Sequence, residues 1–106
     1  MAQATVPRSY SFRIDFSLDE LLVHLNTVGP WNWEERDSTW YCSYLATRDR
    51  PFDAVLHVYS EDNHFVLELH RSPASDSEAE TLKATMRDSF LPSIGGRDIA
   101  PHPGVD

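Results

Sequence analysis

Two stretches of the chain, residues 31–47 and 53–71, alternate apolar and polar side chains with a period of two. This period is typical of β-strands that bury one face and expose the other. Each stretch is interrupted by polar residues that favour turns, near Asp37 and Ser38 in the first and within residues 60–63 in the second. Each stretch is therefore predicted to form a β-hairpin, so that four consecutive antiparallel strands occupy the centre of the chain.

A helix is predicted ahead of the hairpins. Ser17 and Glu20 fit a capping box, in which each side chain bonds a free backbone amide of the first helical turn. Apolar residues then recur along one stripe at helical spacing, and Gly29 with Pro30 supplies a helix stop. The stripe consists of Leu18, Leu21, Leu22, Leu25 and Val28. An alternating strand with Tyr10, Phe12, Ile14 and Phe16 on one face precedes this helix.

A second helix is predicted after the hairpins. Ser75 and Ser77 each stand three residues before a glutamate, so two capping boxes compete for its start. A narrow apolar stripe follows, and Pro92 is expected to end the helix because proline lacks a backbone N–H. The stripe consists of Ala79, Leu82, Met86 and Phe90.

The order of these elements is β-α-β-β-β-β-α, which predicts an α+β fold. Runs of strands with helices at intervals favour a mostly antiparallel sheet with two helices packed on one face. We expect a single domain over residues 9–94, a flexible N-terminal segment at 1–8 and a largely irregular C-terminal tail at 95–106, with a short ordered stretch near Ile99. The position of the first strand in the sheet is left open, since a helix separates it from the hairpins.

The charge balance of the chain disfavours two classes of partner. Among 106 residues, 17 Asp and Glu oppose 9 Lys and Arg, for a net charge of −8. Nucleic-acid binders depend on cationic side chains that neutralise phosphates, and anionic membranes attract clustered Lys and Arg. We therefore expect neither nucleic-acid binding nor membrane binding, and an acidic surface favours a basic partner.

Cysteine usage and the first residues bear on localisation. Cys42 is the single cysteine, so the chain forms no internal disulfide, and residues 1–8 lack the apolar segment of a secretory signal. No apolar run reaches the roughly 20 residues that span a bilayer. These features favour a cytoplasmic protein, and the use of arginine for all basic residues except Lys83 hints at a GC-rich bacterial source.

The hairpin register decides which side chains the helices cover. If Glu35 pairs with Trp40, one face of the first hairpin carries Trp31, Trp33, Trp40, Cys42, Tyr44 and Ala46. This face would join the aliphatic face of the second hairpin, which carries Leu56, Val58, Phe65 and Leu67. Burial of a large apolar side chain contributes roughly 1.5–3 kcal/mol, so we expect the helices to cover this combined layer.

The opposite face of the sheet is then predicted to be open, and it mixes apolar with polar side chains. Exposed apolar area of this kind often marks a contact surface, and open strand edges invite pairing with another chain. The candidate interaction surface comprises Tyr41, Leu45, Val55, His57, Tyr59, Val66, Glu68 and His70. The leading functional hypothesis is a small acidic interaction domain without catalysis or cofactor, which self-associates as a homodimer or holds a protein partner.

The alternative hypothesis is a metal-binding or small-ligand-binding protein, or an enzyme, centred on His57, Glu68 and His70. In the predicted second hairpin, His57 lies opposite Glu68 and near His70. Two imidazoles and a carboxylate can hold zinc with an open coordination position, or can transfer protons. The spacing matches no strong zinc signature, so the sequence by itself assigns no metal ligand.

Other candidate residues have simpler interpretations. Trp31 and Trp40 are candidates for the rim of a ligand pocket, because pockets combine aromatic side chains with a few polar groups. Cys42 is expected to pack in the core rather than to react. Three further histidines are expected to lack partners or to face water, namely His24, His64 and His102.

Overall fold

The computed structural model describes residues 9–28, 31–38, 42–48, 54–71 and 75–102. The strands are β1 (Ser9–Arg13), β2 (Trp33–Ser38), β3 (Cys42–Thr47), β4 (Val55–Glu61), β5 (His64–Arg71) and β6 (Arg97–Pro101). The helices are α1 (Leu18–Val28), α2 (Asp76–Thr85) and the short α3 (Leu91–Ser93), with a π-helical turn, Met86–Phe90, between α2 and α3. None of the helices within these residues has the length and apolar content that crossing a membrane requires.

The strands form one antiparallel sheet in the order β2-β3-β4-β5-β1-β6. Leu21 of α1 and Leu82 of α2 share a buried core with Leu56 and Leu67 of the sheet. Both helices therefore cover one face of the sheet, here called the inner face, and the side away from the helices is the outer face. The α+β architecture predicted from the sequence is confirmed.

Both capping predictions are resolved by hydrogen bonds. At α1, the Ser17 N–H donates to Glu20 Oε1 at 2.9 Å, and the Glu20 N–H donates to Ser17 Oγ at 3.2 Å. At α2, Ser75 is the N-cap, because its hydroxyl accepts from the Glu78 N–H at 3.3 Å. Satisfying these amides fixes where each helix begins.

Pro92 does not end the second helical segment, contrary to the prediction. The Leu91 N–H bonds to the Met86 carbonyl, five residues back, and this wide turn starts a new helical segment in which Pro92 takes the first turn. A proline is tolerated there because no N–H is needed. The segment ends at Ser93, and the Gly95 and Gly96 amides then bond to Pro92 O and Leu91 O at 3.1 and 2.9 Å. This is a Schellman arrangement, with Gly95 at a φ of 91°.

The tail predicted to be largely irregular contains strand β6. This strand pairs with β1, and the His102 N–H extends the pairing to the Ser9 carbonyl at 2.9 Å. Ile99, around which a short ordered stretch was expected, lies within β6 and packs against the core. β6 forms because β1 would otherwise leave one row of backbone donors and acceptors unpaired.

The register of the first hairpin differs from the prediction. Glu35 pairs with Leu45 rather than with Trp40, and Trp33 pairs with Thr47. Asp37 lies within β2 rather than in the turn. Leu45 also pairs with Val58 of β4, so its side chain lies in the inner face and is fully buried in the core. Leu45 is therefore not part of an outer surface, and the assignment made from the sequence was wrong.

The same change of register moves other side chains to the outer face. Strand side chains alternate, so a shift by an odd number of residues reverses every assignment on β3 relative to β2. Tyr44 and Ala46, which were expected in the core layer, lie on the outer face beside His57. Trp40 and Tyr41 fall outside the described residues, as does the side chain of Cys42, so their predicted roles stay predictions.

The second hairpin agrees with its prediction. Asp62 and Asn63 form a two-residue turn, in which Asp62 adopts a φ of 51° that aspartate tolerates better than most residues. His57 pairs with Glu68, and Val58 pairs with Leu67. The aliphatic side chains therefore face the helices, whereas the histidines and Glu68 lie on the outer face.

Candidate functional site

The outer face of the sheet is buried at its centre, not open as the sequence suggested. His57 and Glu68 are 4% and 7% exposed, and Tyr59 and Val66 next to them are also buried. Val55 is half-buried, and only His70 of the described outer-face candidates is exposed. The predicted interaction surface is therefore not a continuous exposed patch in the single chain.

Curling of the sheet brings outer-face side chains together. His102 Nε2, just after β6, lies 3.1 Å from Glu61 Oε1 at the end of β4. Two strands, β5 and β1, separate β6 from β4 in the sheet. In a flat sheet these strands would be about 14 Å apart, too far for the two side chains to touch. The outer face is consequently concave between β4 and β6.

Three potential metal ligands meet on this concave face. His57 of β4 lies directly opposite Glu68 of β5, and His70 follows Glu68 by two residues. Each of the three offers one ligand atom, and these atoms all lie within 4.8 Å of one another. We call this group the outer-face cluster. It unites the three residues that the sequence placed at the centre of the alternative hypothesis.

An irregularity in β5 sets the position of His70. Leu56 pairs with Leu69, but Val55 pairs with Arg71, so β5 contains one more residue than β4 at this point and His70 is the additional one. Bulges of this kind redirect side chains. The His70 ring lies nearly parallel to the His57 ring, with centroids 4.0 Å apart and an interplanar angle of 13°.

Two polar atoms of the outer-face cluster are buried without a hydrogen bond. His57 Nδ1 and Glu68 Oε2 contact no donor or acceptor within hydrogen-bonding distance in the described part of the chain. An unsatisfied buried polar atom costs roughly 1–3 kcal/mol. Because both atoms can bind a cation, a metal ion at the cluster would remove this cost.

His57 is held in the neutral form that metal binding requires. Burial lowers the pKa of His57 to about 4, and the positive charges of His70 and Arg36 contribute in the same direction. At neutral pH the imidazole therefore has a free lone pair rather than a second proton. A neutral imidazole is both the metal-binding form and the form that accepts protons.

Residues of the first hairpin form one wall of the cluster. The ring centroids of Tyr44 and His57 lie 4.7 Å apart. Arg36 of β2 stands opposite Tyr44 of β3 in the strand register. Arg36 also donates to Glu34 Oε1 at 3.2 Å, which offsets its positive charge locally. Sequence reasoning missed Tyr44 because the assumed register placed it in the core, and the pairing of Leu45 with Val58 is the feature that corrects it.

The three histidines outside the outer-face cluster each lie near a polar group of another residue. His24 Nε2 lies 2.7 Å from the Ile94 carbonyl oxygen and therefore links α1 to the end of α3. His64 and His102 both approach Glu61. The expectation that His24 and His102 lack partners is therefore wrong, whereas His64, predicted to face water, is half-buried.

Of the two tryptophans predicted at a pocket rim, Trp31 is described, whereas Trp40 lies outside the described residues, so the pocket stays a prediction. Trp31 is half-buried, and its ring packs 4.9 Å from that of Phe90 in the core. A cleft of about 600 Å³ does open beside Trp33, but its described lining is polar: Asn26, Asn32, Trp33 and Arg48. Asn26 serves a structural purpose there, because its amide bonds both the N–H and the carbonyl of Trp33 at 2.6 and 3.1 Å.

The outer-face cluster is thus a group of side chains suited to metal binding. Two imidazoles and one carboxylate are a known zinc ligand set, and three protein ligands leave a coordination position for water or another ligand. Comparisons of the chain with protein-family models, with curated proteins and with solved structures found no match. The function is consequently inferred from the residues themselves.

Proposed function

We propose that this chain is a small metal-binding domain that holds Zn²⁺, or a transition metal of similar chemistry, through His57, Glu68 and His70. The supporting observation is that His57, Glu68 and His70 each offer a ligand atom within 4.8 Å of the others, in a cluster where His57 Nδ1 and Glu68 Oε2 are buried without a hydrogen bond. Such atoms are costly to bury, and a sheet could readily have placed apolar side chains there instead.

The donor types favour zinc over the common hard cations. Ca²⁺ and Mg²⁺ prefer oxygen ligands, whereas imidazole nitrogen suits Zn²⁺ and related transition metals. In a tetrahedral zinc site with bonds of about 2.0–2.1 Å, neighbouring ligand atoms lie roughly 3.3 Å apart. The cluster must therefore contract somewhat on binding, and His70 is the exposed ligand of the three.

The same exposure of His70 defines the route of entry. His57 and Glu68 are buried, so an ion from solvent reaches them past the His70 side of the cluster. The net charge of −8 on the chain favours a cation.

The docking role expected from the sequence receives less support. Its surface consisted mainly of residues that are buried in the single chain, and Leu45 belongs to the core. Within the described residues, β2 and β6 are the edge strands of the sheet, where backbone groups can pair with another chain. Self-association or binding of a basic protein through an edge stays a prediction, with no observation that favours it over metal binding.

The proposal is tested by counting bound metal. Purified protein is stripped with a chelator, dialysed against Zn²⁺, and its zinc content is measured. The double variant His57→Gln/His70→Gln should bind one zinc ion fewer per chain than the original protein. His24→Gln is the matched control, because glutamine keeps a donor for the Ile94 carbonyl while also removing a histidine.

Circular dichroism of each metal-free variant shows whether it still folds. An unchanged zinc content in a folded His57→Gln/His70→Gln protein would refute the proposal. So would an equal loss in the His24→Gln control, because histidines outside the outer-face cluster would then account for the binding.

A further inference from the structure

A second cluster of metal-ligand side chains lies at the far end of the second hairpin. Glu61 ends β4 and His64 begins β5, so the two pair directly across the turn. His102 immediately follows β6 and reaches them across the concave outer face. We call Glu61, His64 and His102 the C-terminal cluster.

Both histidines of the C-terminal cluster approach the same carboxylate oxygen, Glu61 Oε1. Glu61 Oε1 lies 3.1 Å from His102 Nε2 and 3.9 Å from His64 Nε2. The ligand atoms of all three residues lie within 4.8 Å of one another, and all three side chains are half-buried. The His64 and His102 rings are tilted by 56° with centroids 6.3 Å apart, so they approach Glu61 from different directions.

His102 Nε2, but not His64 Nε2, lies within hydrogen-bonding distance of Glu61 Oε1. At 3.9 Å, His64 Nε2 is too far from Glu61 Oε1 for a hydrogen bond, whereas His102 is well placed for one. A cation between the three side chains would engage both imidazoles and the carboxylate together. The ligand set is again two histidines and one glutamate, which suits zinc.

The C-terminal cluster is separate from the outer-face cluster. Along β4, Glu61 lies four residues beyond His57, which corresponds to about 13 Å in an extended strand. One ion cannot bridge that distance. Tyr59 and Val66 pair with each other between the two clusters and separate them.

We propose that the C-terminal cluster is a second site for a zinc-class ion, which fastens the end of β6 to the turn of the β4–β5 hairpin. β6 is an edge strand, and β1 is the strand with which it pairs. A metal bond from His102 to the hairpin adds a tie that does not pass through β1. Metal binding at this site therefore stabilises the C-terminal edge and the curl of the sheet.

The proposal is tested by combining zinc content with hydrogen exchange. The original protein should bind two zinc ions per chain after dialysis, and His64→Gln/His102→Gln should bind one. Zinc should slow amide exchange in β6 at least tenfold in the original protein and in His57→Gln/His70→Gln. That slowing should be absent in His64→Gln/His102→Gln.

A second variant covers the case in which His64→Gln/His102→Gln does not fold. Glu61→Gln keeps an oxygen acceptor for His102 but removes the negative charge that a metal needs, so it should also lose one zinc ion and the protection of β6. The proposal would be overturned if folded Glu61→Gln bound as much zinc as the original protein. It would also be overturned if zinc did not change the amide exchange rate of β6 in the original protein. The cluster would then be an ordinary ion pair.

These outcomes are distinguishable from failure of the outer-face proposal. If the outer-face cluster binds nothing, His57→Gln/His70→Gln keeps the full zinc content while the C-terminal variants lose theirs. If the C-terminal cluster binds nothing, the reverse pattern is observed.

Discussion

His57 and His70 stack with their ring centroids 4.0 Å apart, and the inner member of the pair, His57, is buried. Two imidazolium ions at this distance would repel each other strongly, since little water separates them. The stack is therefore stable when His57 is neutral, which is the state that leaves its ring nitrogen free to bind a metal. Protonation and metal loading thus compete for the same atoms.

The metal-free protein should lose stability as the pH falls from about 6.5 to about 4. Burial lowers the pKa of His57 to about 4 in the folded chain, whereas an unfolded histidine titrates near 6.5. Between these two pH values the unfolded chain binds more protons than the folded chain, so acid favours unfolding. The stability associated with neutral His57 is fully present above pH 6.5. Urea unfolding in the presence of a chelator measures the effect.

Because other groups also titrate in this range, the comparison that matters is with His57→Gln. Glutamine does not titrate, so the difference in unfolding free energy between the original protein and this variant should change across pH 4–6.5. A difference that is independent of pH would show that His57 titrates normally in the folded chain.

The identity of the metal should appear in thermal stability. Zn²⁺ or Co²⁺ at about 100 times its dissociation constant should stabilise the chain by roughly 2.7 kcal/mol per site, because it binds the folded state alone. For a chain of this size, such a gain raises Tm by about 10 °C or more. Ca²⁺ and Mg²⁺ at the same concentration should leave Tm unchanged, and an equal response to Ca²⁺ would contradict a nitrogen-rich site.

Replacing two ligands by apolar side chains should stabilise the metal-free protein while removing zinc binding at the outer-face cluster. In His57→Phe/Glu68→Leu the buried unsatisfied atoms disappear, and the introduced phenyl ring would retain the contact with Tyr44. We expect a gain of about 1–3 kcal/mol in the unfolding free energy measured with a chelator. Destabilisation by a similar amount would mean that these atoms are already satisfied without metal.

The register of the first hairpin can be tested by comparing neighbouring residues. Leu45→Ala should cost about 2–5 kcal/mol, because Leu45 is fully buried beside Val58 in the core. Tyr44→Ala should cost less, because Tyr44 is only half-buried on the outer face. Urea unfolding measures the loss of unfolding free energy in each variant. A larger loss for Tyr44→Ala than for Leu45→Ala would favour the register in which Glu35 pairs with Trp40.

Local features of this fold could be predicted because their causes lie within a few residues. Ser17 with Glu20 specifies the start of α1 through two hydrogen bonds that involve no other part of the chain. The pairing of His57 with Glu68 follows from a short turn, and turns of two or four residues give the same facing. The three residues of the outer-face cluster were identified for this reason.

Features that depend on distant segments were predicted poorly. The face of Leu45 depends on the parity of the register between β2 and β3, and local alternation fits either parity. The additional residue in β5 at His70 changes no local pattern that could be recognised in advance. The partnership of Glu61 with His102 links residues 41 positions apart, and only the curl of the whole sheet brings them together.

The amino-acid sequence alone determined the kind of elements, their order, the helix starts and the pairing across the second hairpin, since short-range hydrogen bonds and side-chain periodicity control each of these. The tertiary structure decided which face Leu45 and Tyr44 occupy, that the histidine-bearing face is concave and buried, and that β6 closes the sheet beside β1. These features result from burying apolar area and pairing backbone groups over the whole sheet at once, so no single segment of the chain specifies them.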